Sequence, residues 1–418
     1  MNSKERVLAA INHKEPDAIP VDFGATPVTG VHVQAIERLR THYGLEKRPV
    51  KVIEPYQMLG EVDIDLREVL GVDVIGLSPK NNMFGFDNGA PFKEFKTFWG
   101  QVVLVPQNFN ATIDTNGDLL IYPEGDISAP ASGKMPKSGY FFDAIIRQDP
   151  LDEAQMDPED NLEEFSPISE DDLDYWRKEV ARVKDSGKMI IANFGGTAFG
   201  DIALVPGVNL KHPKGIRDVT EWYMSTLMRP DYIHNIFDKQ SAIAIGNLEK
   251  IFSVIGNDVD GVFICGTDFG TQDSQFCGLD TLEDLYVPYY KIINNWIHQH
   301  TSWKTFKHSC GAVEPFINTF IDSGFDILNP VQIGAAGMDP KHLKDTYGDR
   351  ITFWGGGVDT QNVLPFGSPE DVKKQVQLTC DIFSKGGGFV FNTVHNVQAN
   401  VPIKNLVAMF DTLREFKM

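Results

Sequence analysis

His308-Ser309-Cys310-Gly311 sets an imidazole and a thiol two positions apart, on a run that reads as a β-strand from Thr305 to Ser309. Residues i and i+2 of a strand point to the same side. The two groups therefore lie together where the strand gives way to a glycine-containing loop. A second imidazole, His395, ends another strand-like run, Gly388 to Val394, and is followed by Asn396-Val397-Gln398. One thiolate and two imidazoles make a three-ligand zinc set with the fourth position open, which is the pattern of catalytic rather than structural zinc. The competing reading is that His-x-Cys occurs on strands by chance and that Cys310 is a small buried hydrophobe.

The elements that must carry these residues alternate regularly from Asp171 onward. Strand-like runs are Met189 to Phe194, Gly261 to Gly266, Thr305 to Ser309, Ile327 to Val331, Ile351 to Trp354 and Gly388 to Val394. Helical patterns lie between them: Asp218 to Met228, Asp231 to Ile255, Thr281 to Gln299, Val313 to Asp322, Pro340 to Tyr347 and Pro369 to Ser384, with a last one from Pro402 to Phe416. Two earlier strand-like runs, Ala18 to Phe23 and Val72 to Leu77, bring the strands to eight. Helices are also expected at Lys4 to Asn12, capped by Ser3, at Val31 to His42 and at Tyr56 to Leu70. Repeated βα units imply a parallel sheet. Eight of them predict a closed (β/α)8 TIM barrel, with an open doubly wound sheet as the alternative. The stretch from about 81 to 168 breaks the pattern. It has alternating segments such as Gln101 to Val105, and Asn88-Gly89 and Asn116-Gly117 read as hairpin turns. The chain thus reads as one barrel domain over residues 1–418 with a β-rich insertion.

In such a barrel the site lies at the C-terminal ends of the strands. The residues falling there are Asp22, Asn193, Asp268 with Gln272, His308 with Cys310, Asn329 with Gln332, Asp359, and His395 with Asn396. Two strands far apart in sequence thereby bring the candidate ligands to one rim. Asp268 is the candidate catalytic group. Asn193, Gln272, Gln332 and Asp359 are candidates for holding substrate or for fixing the ligands. Gly355-Gly356-Gly357 reads as a tight turn near the site or as a phosphate cradle, and Gly386-Gly387-Gly388 as a helix-ending turn on the opposite face. Cys265 and Cys380 read as core, Cys277 as a loop residue within reach of the rim.

The composition narrows the partners. Asp and Glu number 58 against 38 Lys and Arg, a formal charge of −20, which disfavours nucleic acid and anionic membranes. Four cysteines without a framework spacing suit a reducing compartment. The sequence has no apolar run of membrane-spanning length and no leader-like start. The expectation is a cytoplasmic protein, with homo-oligomerisation left open.

The motifs Thr267-Asp268-Phe269-Gly270-Thr271-Gln272, His308-Ser309-Cys310-Gly311, Asp326 to Gln332, Phe353 to Gly356, Asp359-Thr360-Gln361 and Val394 to Gln398 resemble the uroporphyrinogen decarboxylase superfamily. Within it they resemble the corrinoid-dependent methyltransferase branch. The opening Ser3 to Val7 with Asn12 to Asp17 is similar as well, so the resemblance covers nearly the whole chain. It implies a (β/α)8 barrel and a zinc held by a His-x-Cys pair and a distant Cys. His308 and Cys310 match the pair. By register to Pro402 and Asn405, the distant Cys falls on His395, a departure that puts in question activation of a thiol. The resemblance implies a methyltransferase that moves a methyl group between a small O-, N- or S-methylated substrate and the cobalt of a corrinoid. No Asp-x-His-x-x-Gly cobalamin signature is present, so the corrinoid belongs on a partner protein. The decarboxylase branch carries an Arg-rich N-terminal segment, whereas this chain reads Pro20-Val21-Asp22-Phe23-Gly24. A lyase without metal and a non-catalytic corrinoid-protein binding role stand as the alternatives.

Overall fold

A computed structural model describes all 418 residues. Seven strands form one parallel sheet in the spatial order Phe389–Val390, Thr352–Trp354, Ile327–Asn329, Lys304–His308, Gly261–Cys265, Met189–Ala192 and Val74–Leu77. The start of the chain joins its two edges. Asp22 donates its backbone N–H to Phe391 O (2.9 Å), Phe391 donates to Pro20 O (2.8 Å), and Asp73 donates to Val21 O (2.8 Å). The molecule is therefore an α/β barrel of eight positions. The expected first strand, Ala18 to Phe23, is reduced to a single bridge between Val21 and Phe391. Pro20 has no N–H to give to a ladder, and the Val21 N–H goes to the Asp73 carboxylate at 3.0 Å.

Alternation along the strands fills the barrel. Val74, Met189, Ile191, Phe263, Phe306, Ile327, Trp354 and Val390 point inward and pack with Val7, Ala10 and Ile11 of the helix Ser3–Ile11. That helix closes the N-terminal end of the barrel: Lys4 donates to Gly187 O, and Gly388 donates to Ala10 O. Its N-cap is Asn2 rather than Ser3, because Asn2 forms a capping box with Glu5. With that end plugged, the C-terminal end is left for a site. The outward residues of the strands pack against the surrounding helices in a core of 86 buried residues.

Most of the helices lie where the periodicity puts them. The pattern over Thr281 to Gln299 is two helices, Leu279–Leu285 and Val287–His300, the second beginning with Pro288 in its first turn. The pattern over Tyr56 to Leu70 is helical only at Ile64–Leu70. The Glu54 carboxylate accepts the Tyr56 and Gln57 N–H groups (2.7 and 2.9 Å) and turns the chain there. Leu59–Gly60 then pairs back on Val50–Glu54, a strand the sequence reading did not anticipate.

The β-rich stretch forms two small sheets. Phe92–Lys96 and Val102–Pro106 join the Val50–Glu54 strand, while Ala111–Ile113, Leu119–Ile121, Gly133–Met135 and Asp143–Ala144 make an antiparallel meander. Asn116-Gly117 turns the first hairpin of the meander, with Gly117 at φ +85°. Asn88-Gly89 is not a hairpin turn. The chain reverses before it, between Asn81 and Asp87, around the Asn82 side chain. No helix is long and apolar enough to cross a membrane.

Candidate metal centre and active-site cavity

His308 is the last residue of its strand, and Cys310 stands in the turn that follows. Gly311 makes the turn possible. Its φ is +86°, and a Cβ there would lie 2.3 Å from the Gly270 carbonyl. Two side chains pin the turn from the flanks: Asp268 Oδ1 accepts the Cys310 N–H (2.6 Å) and Gln332 Oε1 accepts the Gly311 N–H (2.7 Å). From below, the buried Lys307 donates to Thr267 O and His308 O, both at 2.7 Å, with its ammonium over the Phe269 ring.

The His308 ring is oriented by Asn329. The Asn329 amide nitrogen donates to Trp354 O (2.8 Å), so its oxygen faces His308 Nδ1 at 2.6 Å and can only accept. The proton therefore sits on Nδ1, and the Nε2 lone pair is free. It points to Cys310 Sγ at 3.2 Å and lies 3.6 Å from Asp268 Oδ1. Burial pushes the His308 pKa down to about 3, so the ring is neutral. Burial, then the Asp268 carboxylate, pushes the Cys310 thiol well up, so that a bound cation is what would draw off its proton.

His395 meets His308 edge to face, with ring centroids 5.4 Å apart. Burial, then proximity to His308, lowers its pKa. Its Nδ1 accepts the Asn396 N–H at 2.8 Å, which places the neutral ring's proton on Nε2. To ligate through Nε2 the ring must move that proton to Nδ1 and release the Asn396 bond. The donor atoms of His308, Cys310 and His395 all lie within 4.8 Å of one another. Ligands of a tetrahedral zinc stand roughly 3.5 Å apart, as bond lengths of about 2.0–2.3 Å require. The His308–Cys310 pair already matches this, and His395 has only a small distance to close. The donor set fits zinc.

Above these residues a cavity of about 370 Å³ opens, bounded by the strand ends and by the β-rich stretch. Asp268, His308, His395 and Asn193 line it, as do Glu54, Tyr56, Asn82, Met83, Asp201 and Leu204. The candidates from sequence thus divide. Asn193 lines the cavity, and its Oδ1 accepts the Gly195 N–H (3.2 Å). Gln332 is a support of the Cys310 turn. Gln272 is a correction: its side chain is exposed away from the cavity, and its carbonyl accepts the Ala336 N–H. Asp359 is another: it caps the turn before the helix Val363–Phe366 by accepting the Gln361, Asn362 and Val363 N–H groups. Asp22 is held by Trp354 Nε1 (2.9 Å).

Gly355-Gly356-Gly357 is a packing turn, since a Cβ on Gly357 would meet the Phe391 ring at 2.2 Å. Cys265 and Cys380 are buried core, and Cys277 is half-buried outside the cavity lining. Three contributors carried no role in the sequence reading: Asn329 as the partner of His308, Lys307 beneath the turn, and Asp201. Strand alternation sets Lys307 opposite to His308, but nothing in the pattern announces an ammonium in the barrel wall. Asp201 lies in an irregular glycine-bearing loop. Burial, then the charge of Asp268, pushes its carboxyl up to about 6.

Comparison with known proteins places this geometry in context. Residues 148–416 match the family described as uroporphyrinogen decarboxylase (URO-D). A search of curated proteins finds no match. Among solved structures, a methyltransferase from Methanosarcina mazei superposes with a TM-score of 0.55 at 14% identity, over 100% of this chain and 99% of its own. A D-psicose 3-epimerase, solved in the presence of D-fructose, aligns at a TM-score of 0.30 and 10% identity over 58% of this chain and 81% of its own.

Proposed function

The chain belongs to the uroporphyrinogen decarboxylase family, and on that premise we propose that it is a zinc-dependent methyltransferase. It moves a methyl group between a small methylated substrate and the cobalt of a corrinoid carried by a partner protein. The observation that carries the reading is the His308–Cys310–His395 cluster at the barrel mouth, with the free His308 Nε2 aimed at the Cys310 thiol.

When bound, zinc supplies Lewis acidity to the heteroatom that bears the methyl group. His308, Cys310 and His395 are the residues to hold it. Asn329 keeps the His308 tautomer, and Asp268 and Gln332 keep the Cys310 turn in place. Loss of a methyl group leaves the bond pair on the heteroatom. Asp268 lines the cavity, spends Oδ1 on the Cys310 N–H and has Oδ2 without a partner in the protein. Its role is to orient the substrate or to pass a proton to or from that heteroatom. Asn193 contributes a hydrogen bond to the substrate. The β-rich wall shields the cavity from water, and the strand ends leave the mouth through which the corrinoid must reach the methyl group.

The test is methyl transfer to free cob(I)alamin from a panel of methyl ethers, methyl thioethers and methylamines, followed by the change in corrinoid absorbance. Transfer from at least one class, abolished in Cys310→Ser, is the expected outcome. No transfer from any class, with zinc bound and a native fold, overturns the proposal.

A further inference from the structure

The cavity over the candidate zinc ligands contains no cationic side chain. Besides His308 and His395, its lining has three carboxyl groups, Glu54, Asp201 and Asp268, with neutral amides, Tyr56, Ser78 and apolar groups. Lys80 and Lys307 are committed elsewhere. Lys80 pairs with Asp87 at 3.3 Å, and Lys307 is turned to the far side of the barrel wall, toward two carbonyls. The acids cannot swing aside. Glu54 is anchored by the Tyr56 and Gln57 N–H groups, Asp201 by Ala203 (3.0 Å) and Asp268 by Cys310.

A carboxylate, sulfonate or phosphate in this space would lose its hydration without gaining a counter-ion and would face three acids in a medium less screening than water. The cation held by His308, Cys310 and His395 is reserved for the atom that bears the methyl group. What the wall does offer is uncharged hydrogen bonding. The Asn82 oxygen accepts the Phe84 and Phe86 N–H groups (3.0 and 3.2 Å), which leaves its amide nitrogen as a donor without a partner. Asn88 is the converse, with its nitrogen on the Ile53 and Pro79 carbonyls and its oxygen unpaired. Buried polar atoms without partners are rare and call for a reason. A neutral hydroxyl or ether drawn to this wall is one.

Resting on the methyl-transfer reading above, we propose that the methyl donor bears no anionic group: it is a methyl ether or methyl thioether that presents a neutral hydrogen-bonding group to Asn82 and Asn88 and fits the cavity of about 370 Å³. Exclusion of anions is built into the wall, and Asp201 is a determinant of that exclusion.

The experiment is equilibrium binding to the zinc-loaded protein, by titration calorimetry, of pairs that differ only in charge. The probes are 2-methoxyphenol with 4-hydroxy-3-methoxybenzoate, and thioanisole with 4-(methylthio)benzoate. The uncharged member of at least one pair is expected to bind at least about tenfold more tightly than its carboxylated partner, a modest figure for one unpaired like charge near a fixed acid. Asp201→Asn should narrow that ratio several-fold. Equal or tighter binding of the carboxylates overturns this inference and leaves the methyltransferase reading standing. Failure of every probe to bind overturns this inference, and transfer to cob(I)alamin then decides the methyltransferase reading separately.

Discussion

His308 is neutral and held in one tautomer because Asn329, itself locked onto Trp354 O, can only accept from Nδ1. A ligand presented this way has little orientation left to lose on binding metal. Partners of this kind typically contribute about 10–100-fold to metal affinity. Asn329→Ala should therefore weaken zinc binding by roughly 10–100-fold, measured by competition with a chromophoric chelator, while circular dichroism stays native. Unchanged affinity would show that the Asn329 contact is incidental. Asp201 carries a different prediction. Burial raises its carboxyl from 3.8 to about 6. A raised value means that the folded state holds the proton longer than the unfolded state does. The associated stability is fully present below pH 3.8 and is lost as pH rises through about 6, in all on the order of 3 kcal/mol. Asp201→Asn has no such loss. Thermal melts from pH 4 to 8 should show the variant gaining on the parent as pH rises to about 6 to 7, with the gap levelling beyond. A gap independent of pH would mean that Asp201 is not buried as described. The ligand types were legible in the sequence because His-x-Cys on a strand has a fixed geometry. Asn329 was legible only as a strand-end residue, since an amide becomes a positioning group through its partners, and those come from the strands on either side, His308 21 residues before and Trp354 25 residues after.

The strand-to-turn unit Lys304–His308 to Gly311 places the chemistry, and Gly311 is its tightest point. With φ at +86° and the Gly270 carbonyl 2.3 Å from where a Cβ would sit, no other residue fits without movement of the backbone. Gly311→Ala should displace Cys310 and abolish stoichiometric zinc, with a loss of about 1–3 kcal/mol in stability from left-handed strain. Denaturant melts read alongside metal content check this. Normal zinc content in Gly311→Ala would show that the turn tolerates the shift. At this scale the sequence told most about the regular elements. Strand-like runs alternating with helical patterns locate seven strands of the barrel because those strands are continuous and mostly apolar. The eighth position was seen as a strand but is a bridge, for Pro20 and the Asp73 carboxylate remove two ladder bonds. The helix expected at Tyr56 to Leu70 was half lost to Glu54, whose carboxylate competes for the backbone N–H groups that a helix would use. Gln272 and Asp359 show the same limit. Both fall at strand ends in the sequence, yet one points to solvent and the other caps a turn, because strand-end position does not fix the path of the loop beyond it.

As a whole molecule the protein is a barrel plugged at its N-terminal end by Ser3–Ile11 and walled at its other end by two small sheets, one of which takes in Val50–Glu54 and Leu59–Gly60 from before the second strand. The three candidate ligands converge only because the barrel closes: Cys310 and His395 are 85 positions apart in sequence, on strands separated in the sheet by two others. The core of 86 buried residues owes nothing to a metal. Loss of the ligands should therefore cost the site and not the fold. The excess of acidic over basic residues, 58 to 38, belongs to the whole surface and continues into the cavity, where three acids and no cation line the wall. The most direct measurement is zinc content by plasma mass spectrometry of the purified protein beside His308→Ala, Cys310→Ser and His395→Ala, each confirmed folded by circular dichroism. The parent protein should hold about one zinc per chain, and all three variants should lose it. A parent that binds no zinc after reconstitution, or variants that keep it undiminished, would contradict the metal centre on which the proposed function stands.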